Sequence, residues 1–156
     1  MAERDKTRGD LHYDVEPNAP LHAGEEVLCA FTSDRGTYLR DHAWLAALAM
    51  AIGMAILWAL GNPHVWTGAV GGLFAVAVRG LYLASDDLKM RWDLTERRLL
   101  GPGGRAIGLR DIKEINTLVS VVQVVTQTGG KHLIKYQSDA KATKATIERV
   151  MAGGRP

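Results

Sequence analysis

Apolar and polar positions follow three different rhythms along this chain. From Ala43 to Leu60 the sequence reads AWLAALAMAIGMAILWAL, eighteen residues without a charge. Gly61-Asn62-Pro63-His64 follows, and then VWTGAVGGLFAVAVRGLYLA, Val65 to Ala84, with Arg79 as its one charge. A bilayer core about 30 Å thick asks for about 20 mostly apolar residues per helix. Two segments of that length around a short turn predict a transmembrane helical hairpin, 43–60 and 65–84. A core helix pair in a soluble protein is the other reading, but such helices show a polar stripe, and 43–60 shows none.

After Ser85-Asp86-Asp87 the period changes to two. Leu88, Met90, Trp92 and Leu94 alternate with Lys89, Arg91, Asp93 and Thr95, which predicts a half-buried strand. Glu96-Arg97 reads as a turn and Arg98-Leu99-Leu100 as a second strand, broken by Gly101-Pro102-Gly103-Gly104. Arg105 to Leu109 is a third piece, leading into a connecting segment from Arg110 to Ile115. Val119 to Thr128 is long and β-branched, Gly129-Gly130 makes a tight turn, and Lys131 to Gln137 returns. Ser138-Asp139 caps a last helix, Ala140 to Met151, with Ala140, Thr143, Ile147, Val150 and Met151 on one face and Gly153 at its end.

The expected fold class is therefore membrane α+β. A two-helix hairpin precedes a small antiparallel sheet domain closed by a C-terminal amphipathic helix. By segment, 1–24 is a polar, mobile arm, 25–42 a pre-membrane segment, 43–84 the hairpin, 85–152 the sheet domain and 153–156 a tail. Within 25–42 the run Glu25 to Phe31 (EEVLCAF) reads either as a strand or as a stretch lying on the membrane. In the arm, His12, Tyr13 and Leu21 could form a short docking motif, although a solvated tail explains them as well.

Charge adds an orientation. The formal net charge of +2 is too small to argue for nucleic acid. Arg35 and Arg40 precede the first helix, and Arg79, Lys89, Arg91, Arg97 and Arg98 end or follow the second, while the turn carries no Lys or Arg. The positive-inside rule then places both termini in the cytoplasm. Arg79 is near the inner end, where its stem can snorkel to the head groups. Tyr38 and Trp44 at one depth, and Trp58 and Trp66 at the other, are the expected interfacial anchors. Gly53, Gly68, Gly71 and Gly72 permit close helix approach, either within the hairpin or to a partner. Single Cys29 excludes an internal disulfide and suits a reducing compartment.

No catalytic constellation stands out. The histidines, 12, 22, 42, 64 and 132, are scattered, and no cysteine or carboxylate completes a zinc spacing. A metal or haem would draw first on His42 or His64, which the hairpin puts on opposite sides of the membrane. The 101–105 glycine run lacks the Lys-Ser/Thr of a phosphate loop. The reading is a non-enzyme without metal or cofactor.

Two stretches carry a family resemblance: Trp92-Asp-Leu-Thr-Glu-Arg-Arg-Leu-Leu100 and Ile107-Gly-Leu-Arg-Asp-Ile-Lys-Glu-Ile115, with Gly24-Glu25-Glu26-Val27-Leu28 upstream. Together they resemble the bacterial pleckstrin-homology-like (PH-like) membrane proteins, over about residues 23–151. Leu94, Leu99, Ile107, Leu109, Ile112 and Ile115 would supply core, and Thr95 would start a turn. One branch with a similar layout consists of assembly factors for bacterial photosynthetic complexes, though this chain is short for it. The resemblance implies a multi-pass protein of the bacterial cytoplasmic (inner) membrane. The leading function is an accessory or assembly module for a larger integral membrane complex, touching membrane lipids. One alternative is anionic head-group sensing by Lys89, Arg91, Arg97 and Arg98. Another is a small channel or transporter subunit, which would have to be a homo-oligomer.

Overall fold

In the computed structural model, which describes residues 19–155, the strand before the two long helices pairs with the strand after them. Strand β1 (Val27–Thr32) runs antiparallel to β2 (Arg91–Thr95), with Thr32 opposite Arg91 and Phe31 opposite Trp92. Helices α1 (Arg35–Ala59) and α2 (Trp66–Asp87) are therefore an insertion between neighbouring strands of one sheet. This corrects the expected division. The 25–42 stretch is no separate unit, and the sheet region begins at Val27 rather than at residue 85. Phe31 is buried in the core and Leu28 and Cys29 pack against that core, so the apolar part of EEVLCAF is a strand, from Val27 on.

The first sheet continues through β3 (Arg98–Gly101) to β4 (Arg105–Gly108), in the order β1-β2-β3-β4. A 3-10 turn over Leu109–Asp111 leads to a second sheet, β5 (Ile112–Leu118), β6 (Val121–Thr126) and β7 (Lys131–Ile134), also antiparallel. Helix α3 (Ala140–Met151) packs against β5 and β6. Leu94, Leu99, Ile107, Leu109, Ile112 and Ile115 are all buried, as their spacing suggested. The core cluster contains no residue of α1 or α2. What remains of the membrane hairpin expectation is that two helices are long and apolar enough to cross a bilayer.

Local differences have local causes. Of residues 110–115 only Arg110-Asp111 connect: β5 opens at Ile112, and a register shift between Ile112 and Glu114 turns both Ile112 and Ile115 inward. The 119–128 run is divided, because Val119-Ser120 form the β5–β6 turn. In β2 the polar residues Asp93 and Thr95 are buried alongside Trp92 and Leu94, so the strand is covered on both faces. Met151 stays exposed at the rim of α3.

Helices α1 and α3 each start on a carboxylate, whereas α2 starts after Val65 without a side-chain cap. Asp34 Oδ2 accepts from Thr37 N at 2.7 Å, so α1 begins at Arg35, eight positions before the apolar run. Its 25 residues span about 37 Å. Asp139 accepts from Ala142 N at 2.9 Å to start α3, and Gly153 ends it with φ +82°.

Candidate interaction site at the base of the hairpin

Gly68, Gly72, Val76 and Gly80 recur every fourth residue and form the face of α2 that meets α1. A Cβ added to Gly72 would lie 2.6 Å from Ala49 C, and one on Gly68 would collide with the backbone of Gly53 and Met54. Gly53 is closed in the same way by Gly68. Three of the four glycines proposed as a packing or partner face are consequently used inside the hairpin. Gly71 alone points away, with open space where a Cβ would be. It shares its helix face with Phe74, Val78 and Tyr82, exposed by 70, 49 and 79 %. Only 6 % of the apolar stretch of either helix is buried.

Near the sheet the two helices are joined by polar groups. Tyr38 reaches across and donates its hydroxyl to Gly80 O at 2.6 Å, and the missing side chain of Gly80 leaves room for the His42 ring, 3.0 Å from where a Cβ would lie. His42 Nδ1 lies 2.9 Å from Tyr38 O; a carbonyl only accepts, so Nδ1 carries the hydrogen. The Tyr38 ring also meets Tyr136 edge-on at 4.8 Å. Tyr38 is thus not the interfacial anchor expected of it: it is 3 % exposed, because it is the plug between α1, α2 and the sheet region. Trp44, Trp58 and Trp66 do face outward, 74, 76 and 63 % exposed.

A second layer ties this base to the sheets. Buried Asp87 accepts from Lys135 Nζ at 3.2 Å and from the Tyr136 hydroxyl at 3.3 Å. Burial pushes the Tyr136 phenol up to about 12, and the facing Asp87 carboxylate adds to the shift. Tyr136 sits at φ 54°, a conformation rare for a bulky residue, and its carbonyl accepts from Asp34 N at 2.8 Å. Gln137 donates its side-chain amide to Thr32 O at 3.2 Å, and Ser120 donates its hydroxyl to Asp41 of α1. Beside this junction an open apolar groove of about 520 Å³ runs between the helices, lined by Leu39, Ala43, Leu73, Ala77 and Leu81. Sequence reasoning missed the junction, since its partners lie far apart along the chain.

The four basic residues expected at lipid head groups do not come together. Lys89 and Arg91 stand at the hairpin end of β2, while Arg97 and Arg98 stand at its far end, a strand length of about 15 Å away. Arg91 Nε pairs with Asp93 at 2.8 Å. Arg98 forks onto the Glu25 carboxylate, where its side chain is only 17 % exposed. Those guanidinium bonds hold Glu25 down to about 2, against burial, with help from His22 N–H and the Thr95 hydroxyl. Arg97 instead lines an open cleft of about 900 Å³ with Arg110, Glu96 and Asp111. His42 and His64 lie at opposite ends of the hairpin, and among the described residues no group of three or more metal-ligating side chains assembles. Residues 1–18 of the 1–24 arm, with His12 and Tyr13, and Pro156 lie outside the described residues.

In comparisons with family models, curated proteins and solved structures, nothing matches the chain.

Proposed function

We propose that this chain is a non-enzymatic integral membrane protein whose helical hairpin is inserted into a small PH-like sheet domain. It acts as an interaction or assembly module for a larger membrane protein complex, with both termini cytoplasmic in a bacterial inner membrane. The PH-like reading is supported by the four-plus-three strand arrangement closed by one C-terminal helix, together with the sequence resemblance. Fold alone does not carry function. The observation that carries it is the outer face of α2, where Gly71, Phe74, Val78 and Tyr82 stay open while the inner glycines are consumed. Because Asp41 and Asp87 tie the helices to Ser120 and Lys135 of the sheet region, a partner docked on that face would also orient the domain.

A photo-crosslinking residue at Phe74, in native membranes, is expected to give a defined adduct with one integral membrane protein. Adducts with lipid alone would sink the proposal. The photosynthetic-complex assembly branch is the version of this reading to try first, with the captured partner deciding it. Head-group sensing by Lys89, Arg91, Arg97 and Arg98 has weaker support, since two of these residues are held in ion pairs.

A further inference from the structure

Among the described residues of the sheet region, Leu118 and Val119 are the most exposed large apolar side chains, at 72 and 84 %. Leu118 ends β5 and Val119 opens the β5–β6 turn. Val119 is held there at φ 53°, a left-handed conformation that favours Gly or Asn and disfavours a β-branched residue. Backbone geometry therefore gives no reason for valine at this position. Its surroundings do.

Ser120 is buried and its hydroxyl donates to the Asp41 carboxylate, while its carbonyl accepts from Gln137 N at 2.8 Å. The turn accordingly touches α1 in its second helical turn, beyond the point where Asp34 N meets Tyr136 O. Trp44 is one helical turn further on, a rise of about 4.5 Å, and no charge follows it up to Leu60. Arg40 is exposed beside Asp41, and the Gly80–His42 contact places Arg79 at the same level. A layer of Arg40, Asp41 and Arg79 against an apolar stretch that opens with Trp44 is the composition of a bilayer interface.

We infer that Leu118 and Val119 dip into the lipid interface beside α1, as a third membrane contact that holds the sheet domain against the bilayer surface. The inference rests on the reading that the hairpin spans the membrane. The occupant is lipid, because the tip stands at the level where α1 passes from charged to apolar residues.

The test uses the full chain with Cys29→Ser, reconstituted in phosphatidylcholine–phosphatidylglycerol vesicles. An environment-sensitive fluorophore is attached in turn at Leu118→Cys, Val119→Cys, Phe74→Cys and Gly129→Cys. Gly129 lies in the exposed β6–β7 turn, at the other end of β6. Labels at Leu118, Val119 and Phe74 are expected to be quenched several-fold more by spin-labelled lipid than by aqueous iodide, and the label at Gly129 the reverse. Iodide quenching at both Leu118 and Val119 equal to that at Gly129, with Phe74 still lipid-quenched, overturns this inference and leaves the spanning reading intact. Iodide quenching at Phe74 overturns the spanning reading itself. Labels at Leu118 and Val119 shielded from both quenchers would mean that protein covers the tip, which overturns the lipid assignment.

Discussion

At the scale of single residues, the Glu25–Arg98 pair shows how a local pattern acquires a distant partner. Thr95 was legible as the start of a turn, and its hydroxyl does accept from Arg97 N at 3.3 Å and Arg98 N at 2.9 Å. Glu25, at the other end of the chain order, was not legible as the acceptor for Arg98. Glu25→Gln is expected to cost about 1–3 kcal/mol, because it leaves a largely buried guanidinium without its counter-charge. Chemical denaturation in detergent checks this. The folded carboxyl titrates near 2 against an ordinary 4.5, so its contribution is complete above pH 4.5 and lost as pH falls toward 2. Acid titration of wild type should show that loss, and Glu25→Gln should flatten it.

Elements follow from spacing where spacing is regular. Helix α3 runs from Ala140 to Met151 as its Asp139 cap and apolar face predicted. The long helices were legible from composition, but the start of α1 was not, since Arg35 to His42 are mostly polar and helical because Asp34 caps them. Strand β5 was hidden because its register shift spoils the period of two. Which glycines face inward depends on helix register, and here the prediction is sharp. Gly68→Leu drives a side chain into the Gly53 backbone and should cost about 2 kcal/mol or more, whereas Gly71→Leu meets open space and should leave stability unchanged. Thermal melts in detergent distinguish them. Tyr38→Phe keeps the ring but removes the bond to Gly80 O, with an expected loss of about 1 kcal/mol in the same assay.

For the whole molecule, the β1–β2 pairing is the feature that the sequence concealed. Its partners, Val27–Thr32 and Arg91–Thr95, are separated by the entire hairpin, and no local pattern reports a contact of that range. The consequence can be tested by excision. Thr32 and Arg91 are opposite one another, and the core draws nothing from α1 or α2. Replacing the hairpin with a short Gly-Ser turn should yield a soluble sheet domain with a cooperative melt. Aggregation or a non-cooperative melt would mean that the helices help hold the sheets together. In that soluble form, Val119→Asn should raise stability by roughly 1 kcal/mol, since asparagine tolerates the left-handed backbone.

The pairing of β1 with β2 also imposes a rule of parity. Two strands that share a ladder must finish on the same side of any membrane, so the chain between them crosses an even number of times or not at all. A single crossing would tear the sheet apart. Were only one of the two helices to cross, β1 would be left without β2, and Phe31 and Trp92, which are buried, would lose their cover. The charges flanking the two helices and the β1–β2 ladder are independent constraints, and both are satisfied by two crossings and by none, but not by one.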